Sequence, residues 1–132
     1  MRDTLTNDNH RDNISIMVKS EYIPDQSNSR ENRYVFAYHV TIENHGTQPT
    51  QLISRHWVIT DGNQKIQEVR GEGVIGEQPT IMPGERYQYS SGAVLQTPVG
   101  SMQGSYQMVD ETGNQFNAPI PIFTLASPTA LH

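Results

Sequence analysis

Tyr34-Val35-Phe36-Ala37-Tyr38-His39-Val40-Thr41-Ile42-Glu43, closed by Asn44-His45-Gly46, is the stretch on which the fold turns. Tyr34, Phe36, Tyr38, Val40 and Ile42 fall on one side of an extended chain, and Val35, Ala37, His39, Thr41 and Glu43 on the other. A sustained period of two describes a strand with one buried face, because successive Cβ atoms of a strand point to opposite sides. Asn44 and Gly46 tolerate positive φ and end the run in a turn.

The same period continues on either side. Upstream, Ile14, Ile16 and Val18 alternate with Ser15, Met17 and Lys19, a second strand, and Asp25–Arg30 is a loop by composition. Downstream, Leu52–Thr60 is rich in β-branched and aromatic residues and holds the single tryptophan, Trp57. Asp61-Gly62-Asn63 follows as a hairpin signal, so Lys65–Arg70 is expected to pair back on that strand. Pro83-Gly84 marks a turn before a short strand carrying Tyr87 and Tyr89. Ser101–Asp110 sets Met102, Tyr106 and Met108 on one side, and the turn Glu111–Asn114 leads to a last strand, Gln115–Phe123. Pro119 and Pro121 make that last segment an edge strand or a loop-like one, since proline cannot donate to a ladder.

No segment of ten or more residues carries a 3.6-residue period. About seven short strands at this spacing predict an all-β, immunoglobulin or fibronectin type III-like antiparallel β-sandwich; a small closed barrel is the alternative all-β architecture. Met1–Asn13, polar and charged, reads as a flexible tail, and residues 14–132 as one domain.

Composition removes whole classes of function. The chain has 132 residues, 9 basic and 14 acidic, with a formal charge of −5. That length suits a single domain. The acidic balance argues against a nucleic-acid binder, whose affinity comes largely from Lys and Arg. Zero cysteines exclude disulfide staples, Cys-ligated zinc or iron–sulfur sites and thiol nucleophiles. The first residues lack the apolar core of a signal peptide, and no window approaches the ~18 apolar residues of a membrane helix. The expected location is the cytoplasm.

Candidate chemistry is sparse. Gly71-Glu72-Gly73-Val74-Ile75-Gly76 matches G-x-G-x-x-G, a pattern that cradles phosphate through backbone amides. A dinucleotide site needs a helix after the loop, and Glu77-Gln78-Pro79-Thr80 does not begin one. A kinase loop needs a downstream lysine, yet Lys19 and Lys65 both precede it. What remains is a generic anion nest assisted by Arg70 or Arg55 and opposed by the charges of Glu72 and Glu77. His10, His39, His45, His56 and His132 show no zinc spacing and read as solvated surface groups. Glu68, Glu72, Glu77 and Glu85 read as a solvated face, and Trp57 as a core anchor.

Three blocks carry a resemblance. Arg55-His56-Trp57 leads into Ile59-Thr60-Asp61-Gly62, and Val69-Arg70-Gly71-Glu72-Gly73-Val74-Ile75-Gly76-Glu77-Gln78-Pro79 is followed by Pro83-Gly84. With Gly100-Ser101-Met102-Gln103-Gly104-Ser105-Tyr106-Gln107-Met108, they resemble the ApaG family over about Ile14 to Leu131. The resemblance implies a fibronectin type III-like fold and an association with cobalt tolerance and magnesium efflux. It implies no established enzymatic activity. Similar domains attached to eukaryotic F-box and polymerase-delta-interacting proteins imply an adaptor role.

The resulting expectation is a non-enzymatic binding or adaptor module with a protein partner. The alternative is a binder of pyrophosphate or nucleotide phosphate through Gly71, Gly73, Gly76 and Arg70. A direct Co²⁺ or Mg²⁺ site ranks third. No catalytic residue, metal ligand, cofactor, nucleic-acid partner or membrane insertion is expected, and the chain is expected to be a monomer or weak homodimer.

Overall fold

The computed structural model describes residues 13–128. Its strands are β1 (Ile14–Tyr22), β2 (Tyr34–Asn44), β3 (Thr50–Asp61), β4 (Ile66–Glu72), β5 (Thr80–Ile81), β6 (Arg86–Leu95), β7 (Val99–Asp110) and β8 (Gln115–Ala126). The Tyr34 stretch is the middle strand of the first sheet, ordered β1-β2-β6. Its register stacks Ile42 on Ile16 and Tyr87, Val40 on Val18 and Tyr89, and Phe36 on Tyr22 and Ala93. These residues face inward. His39 and Thr41 face out, as the alternation predicts.

The second sheet runs β4-β3-β7-β8, with β5 on β3 as well. β7 occupies one side of β3 along its length, so β4 and β5 share the other side. They are two pieces of one edge strand, interrupted by residues 73–79. All ladders are antiparallel, and the two sheets enclose one core. The sandwich, not the closed barrel, is the architecture.

Trp57 centres that core at 2% exposure. The rings of Tyr38, Phe123 and Tyr106 stand 5.3, 6.0 and 6.3 Å away, inclined to it by 64°, 87° and 84°. Such edge-to-face pairs add about 0.5–1.5 kcal/mol each beyond the area they bury. Along one flank β1 meets β8, where Ser20 Oγ donates to the Thr124 carbonyl at 2.9 Å. Along the other, β6 runs beside the β3–β4 hairpin, with Ile59, Ile66, Val94 and Leu95 lining the groove between them.

The structure adjusts the expected strands. There are eight among the described residues; the addition, β5, is only two residues long. β6 runs for ten residues, since Ser90, Ser91 and Gly92 continue it despite weak β character. β8 reaches Ala126 as an edge strand. It absorbs Pro121 at a bulge, where Pro121 and Ile122 stand opposite the single residue Gln103. In the β3–β4 turn the positive φ falls on Gln64, at 67°, rather than on Gly62. Gly62 instead sits against Thr97, whose Oγ1 accepts its amide at 2.8 Å. Residues 1–12 of the expected tail lie outside the described residues, while the Asn13 carbonyl accepts the His45 amide at 2.7 Å. Among the described residues no helix is long and apolar enough to cross a membrane.

Candidate functional site

The site is the excursion between β4 and β5, and it begins with an irregularity in β3. Leu52 pairs with Met108 and Ser54 with Gln107, so Ile53 is an extra residue in β3. A bulge of this kind re-aims the local backbone. The Ile53 carbonyl accepts the Gly73 amide at 2.8 Å and Gln78 Nε2 at 2.9 Å, tying down both ends of the excursion. The Leu52 amide donates to the Pro79 carbonyl at 2.9 Å.

Between those ties the chain makes a two-residue hairpin. Val74 and Glu77 exchange amide-to-carbonyl bonds of 2.8 and 2.9 Å, enclosing Ile75 and Gly76. Both enclosed residues have positive φ, 43° and 80°, which is the type I′ geometry. Gly73 also has positive φ, 63°, and a Cβ there would stand 2.2 Å from the Glu77 carbonyl oxygen, so only glycine fits. Val74 plugs into the core at 1% exposure, whereas Ile75 beside it is 60% exposed. A β-branched residue in the left-handed region is uncommon and strained, and persists only where its surroundings over-determine it.

Those surroundings are polar braces. Arg55 shares the inward face with Trp57, and its guanidinium lies where a Gly71 side chain would be, 2.8 Å from the ideal Cβ position. From there Nη1 donates to the Gly73 carbonyl at 2.7 Å and to the Glu72 carbonyl at 3.2 Å. On the other side of the loop Tyr87 Oη donates to Glu77 Oε1 at 2.6 Å. Burial and that carboxylate push the Tyr87 phenol up to about 12. Behind it, the buried hydroxyls of Tyr89 and Tyr106 are hydrogen-bonded to each other at 2.5 Å, and burial raises both phenols far above their ordinary range.

The predicted phosphate residues are therefore distributed as follows. Gly71, Gly73 and Gly76 belong to one excursion, but the Gly73 and Val74 amides already donate to protein carbonyls. Arg70 sits on the opposite face from Gly71, on the outer surface of the five-stranded sheet, with Nη2 3.6 Å from Glu68 Oε1. It does not join the glycines; Arg55 does. Glu68 also accepts from His56 at 2.7 Å, and that bond, His56 and Arg70 hold its carboxyl below the usual range. Around them, Ser54, Ser105, Gln107 and Asn117 complete a shallow hollow of ≈ 550 Å³.

The other described histidines are exposed but partnered, His39 with Ser90 and Glu21 and His45 with Glu43. His10 and His132 lie outside the described residues. Among the described residues no three His, Cys, Asp or Glu side chains converge as a metal site. Sequence reading missed the Ile53 bulge, the brace from Tyr87 and the strain at Ile75. Arg55 left one usable signal: period two places it on the face of Trp57, where a charge requires partners.

Two face-to-face antiparallel sheets with a hydrogen-bonded excursion on one edge define a fibronectin type III-like β-sandwich. The ApaG domain matches residues 24–110, and the chain belongs to the ApaG family. ApaG proteins of Aromatoleum aromaticum and Thiobacillus denitrificans are each 62% identical over 119 residues, covering 90% of this chain and 94% of theirs. A crystal structure from Bordetella pertussis bearing the ApaA name superposes with a TM-score of 0.85 at 50% identity, covering 87% of this chain and 94% of its own.

Proposed function

We propose that the chain is a non-enzymatic protein-binding module of the cytoplasm, and that residues 73–79 form its contact surface with Ile75 at the tip. The observation carrying this reading is the pairing of strain with exposure: Ile75 holds a φ of 43° while 60% of its surface faces solvent. Core packing does not require that conformation, since the adjacent Val74 supplies the buried anchor. A rigid, exposed apolar side chain loses little freedom on docking, which is what favours an anchor residue. In this reading a role in cobalt tolerance or magnesium efflux is exercised through the partner. The acidic and histidine side chains support it, being drawn into pairs such as His56–Glu68, His45–Glu43 and His39–Glu21.

Photo-crosslinking in cells tests the proposal. A photoreactive residue at the exposed Glu72 position, beside the loop, should yield a discrete adduct that Ile75→Asp abolishes. The same group at Met17, exposed on the far sheet, should yield none. Equal labelling from both positions, or an adduct with a different protein that is indifferent to Ile75→Asp, rules the loop out as the contact.

A further inference from the structure

We infer that the free edge of β4 is a self-complementary seam on which a second copy of this chain docks, joining two five-stranded sheets about a two-fold axis. The first observation is parity. Gly73 donates to the Ile53 carbonyl and the Lys65 carbonyl accepts from Asp61, so the backbone groups of odd-numbered residues in this strand face β3. Strand alternation then turns the N–H and C=O groups of Ile66, Glu68 and Arg70 outward, where β4 has no neighbour in the sheet order. All three residues are exposed.

The second observation is charge. Exposed edges are normally guarded by charged side chains that discourage pairing. Here one register turns the guard into a match. Antiparallel pairing of two β4 strands brings outward-facing groups together in three central registers. Glu68 opposite its own copy sets like charges against each other. Arg70 opposite its own copy does the same, and also aligns Glu68 with Glu72 of the second copy. The remaining register sets Glu68 opposite Arg70 of the second copy and Arg70 opposite Glu68 of the second copy. Each such pair exchanges two backbone hydrogen bonds and matches opposite charges on the same face.

In that register Val69 lies on the two-fold axis, opposite itself in a non-hydrogen-bonded pair on the inward face. The same strand on both sides is what an isologous contact requires. The contact uses the strand, residues 66–72, rather than the loop tip, so Ile75→Asp should leave it intact and it stands or falls independently of the proposed partner site.

The chain's lack of cysteine makes the register directly readable. Close Cα approach in a non-hydrogen-bonded pair suits a disulfide. Val69→Cys should therefore oxidise to a covalent dimer. Gln67→Cys should not, because its opposite residue is Gly71 of the second copy. Sedimentation of the cysteine-free protein should show a concentration-dependent dimer. Arg70→Glu and Glu68→Arg should each raise its dissociation constant at least about tenfold, and the double exchange should restore it to within about threefold. Thermal melts confirm that each variant is folded. A chain that stays monomeric at millimolar concentration, crosslinking equal at positions 67 and 69, or a folded double exchange that does not recover overturns the inference. In the monomeric case the edge is left to a strand from a different protein.

Discussion

Replacing Ile75 with Asn separates stability from binding, because the two should move in opposite directions. Ile75 occupies the first central position of a type I′ turn, with φ of 43°, and Gly76 follows. The left-handed region costs an ordinary L-residue about 1–2 kcal/mol. Asn largely escapes that cost, and Asn-Gly is the preferred pair for this turn. Against the relief stands the packing that Ile75 gives up. A fully buried aliphatic side chain contributes about 1.5–3 kcal/mol. With 60% of its surface exposed, Ile75 retains about two-fifths of that, or roughly 0.6–1.2 kcal/mol. The midpoints leave Ile75→Asn more stable by about 0.6 kcal/mol, a rise of roughly 2 °C in Tm. Urea unfolding should show a higher midpoint with an unchanged slope, since the turn exposes little new surface. Crosslinking from position 72 should fall in the same variant. A loss of about 1 kcal/mol or more would show that Ile75 packs rather than protrudes, and would refute both the strain argument and the contact surface built on it.

Glycine substitutions grade the loop's geometry: Gly73→Ala, with its Cβ 2.2 Å from the Glu77 carbonyl oxygen, should cost about 2–4 kcal/mol in denaturant unfolding. Gly76→Ala has open space within 4 Å and only its φ of 80° to resist it, so a loss of about 1 kcal/mol is expected; equal costs would contradict the close approach. Titration with pyrophosphate, followed by amide NMR, should leave the Gly73 and Val74 resonances in place because both amides are already bonded; progressive shifts there would support the phosphate reading. Tyr87 should ionise only near pH 12, seen as phenolate absorbance lost in Tyr87→Phe. Its folded value exceeds the ordinary phenol value, so its contribution to stability is complete below about pH 10 and fades as pH rises through about 12. An alkaline decline no steeper than that of Tyr87→Phe would show that the half-buried, Glu77-bonded setting of this phenol is not maintained in solution.

The sheet architecture was legible because its signals are periodic and local. Phe36, Val40 and Ile42 are buried on the face their alternation assigns, as are Met102, Tyr106 and Met108, and Asp61-Gly62 does mark the β3–β4 hairpin. Features that depend on pairing were not legible. β5 is recognisable as a strand only because Thr80 and Ile81 lie against β3, and two residues carry no period of their own. The bulge at Ile53 has no compositional mark, since an extra residue in one strand is defined by the register of its neighbour. Gln64 rather than Gly62 takes the positive φ because the β3–β4 register leaves a three-residue loop, a turn closed by the Gln64 amide on the Asp61 carbonyl and ended by one left-handed residue.

The glycine motif shows why a pattern of permissive residues does not by itself define a ligand. A phosphate nest needs successive amides aimed at an empty concavity. In this chain the bulged carbonyl of Ile53 takes the Gly73 amide, and the Glu77 carbonyl takes that of Val74. The space above Gly71 is filled by the Arg55 guanidinium, already directed at two backbone carbonyls. Each glycine thus solves a problem internal to the edge strand: room for a cation at Gly71, a left-handed step at Gly73 and the second turn residue at Gly76. Together they let the strand leave β3 after Glu72 and rejoin it at Thr80, with Val74 returned to the core and Ile75 left outside. Arg70, freed from the glycines by strand alternation, faces Glu68 on the outer surface. The motif therefore builds a protrusion, and the charge beside it patterns an edge; the proposed contact surface rests on the first and the proposed seam on the second.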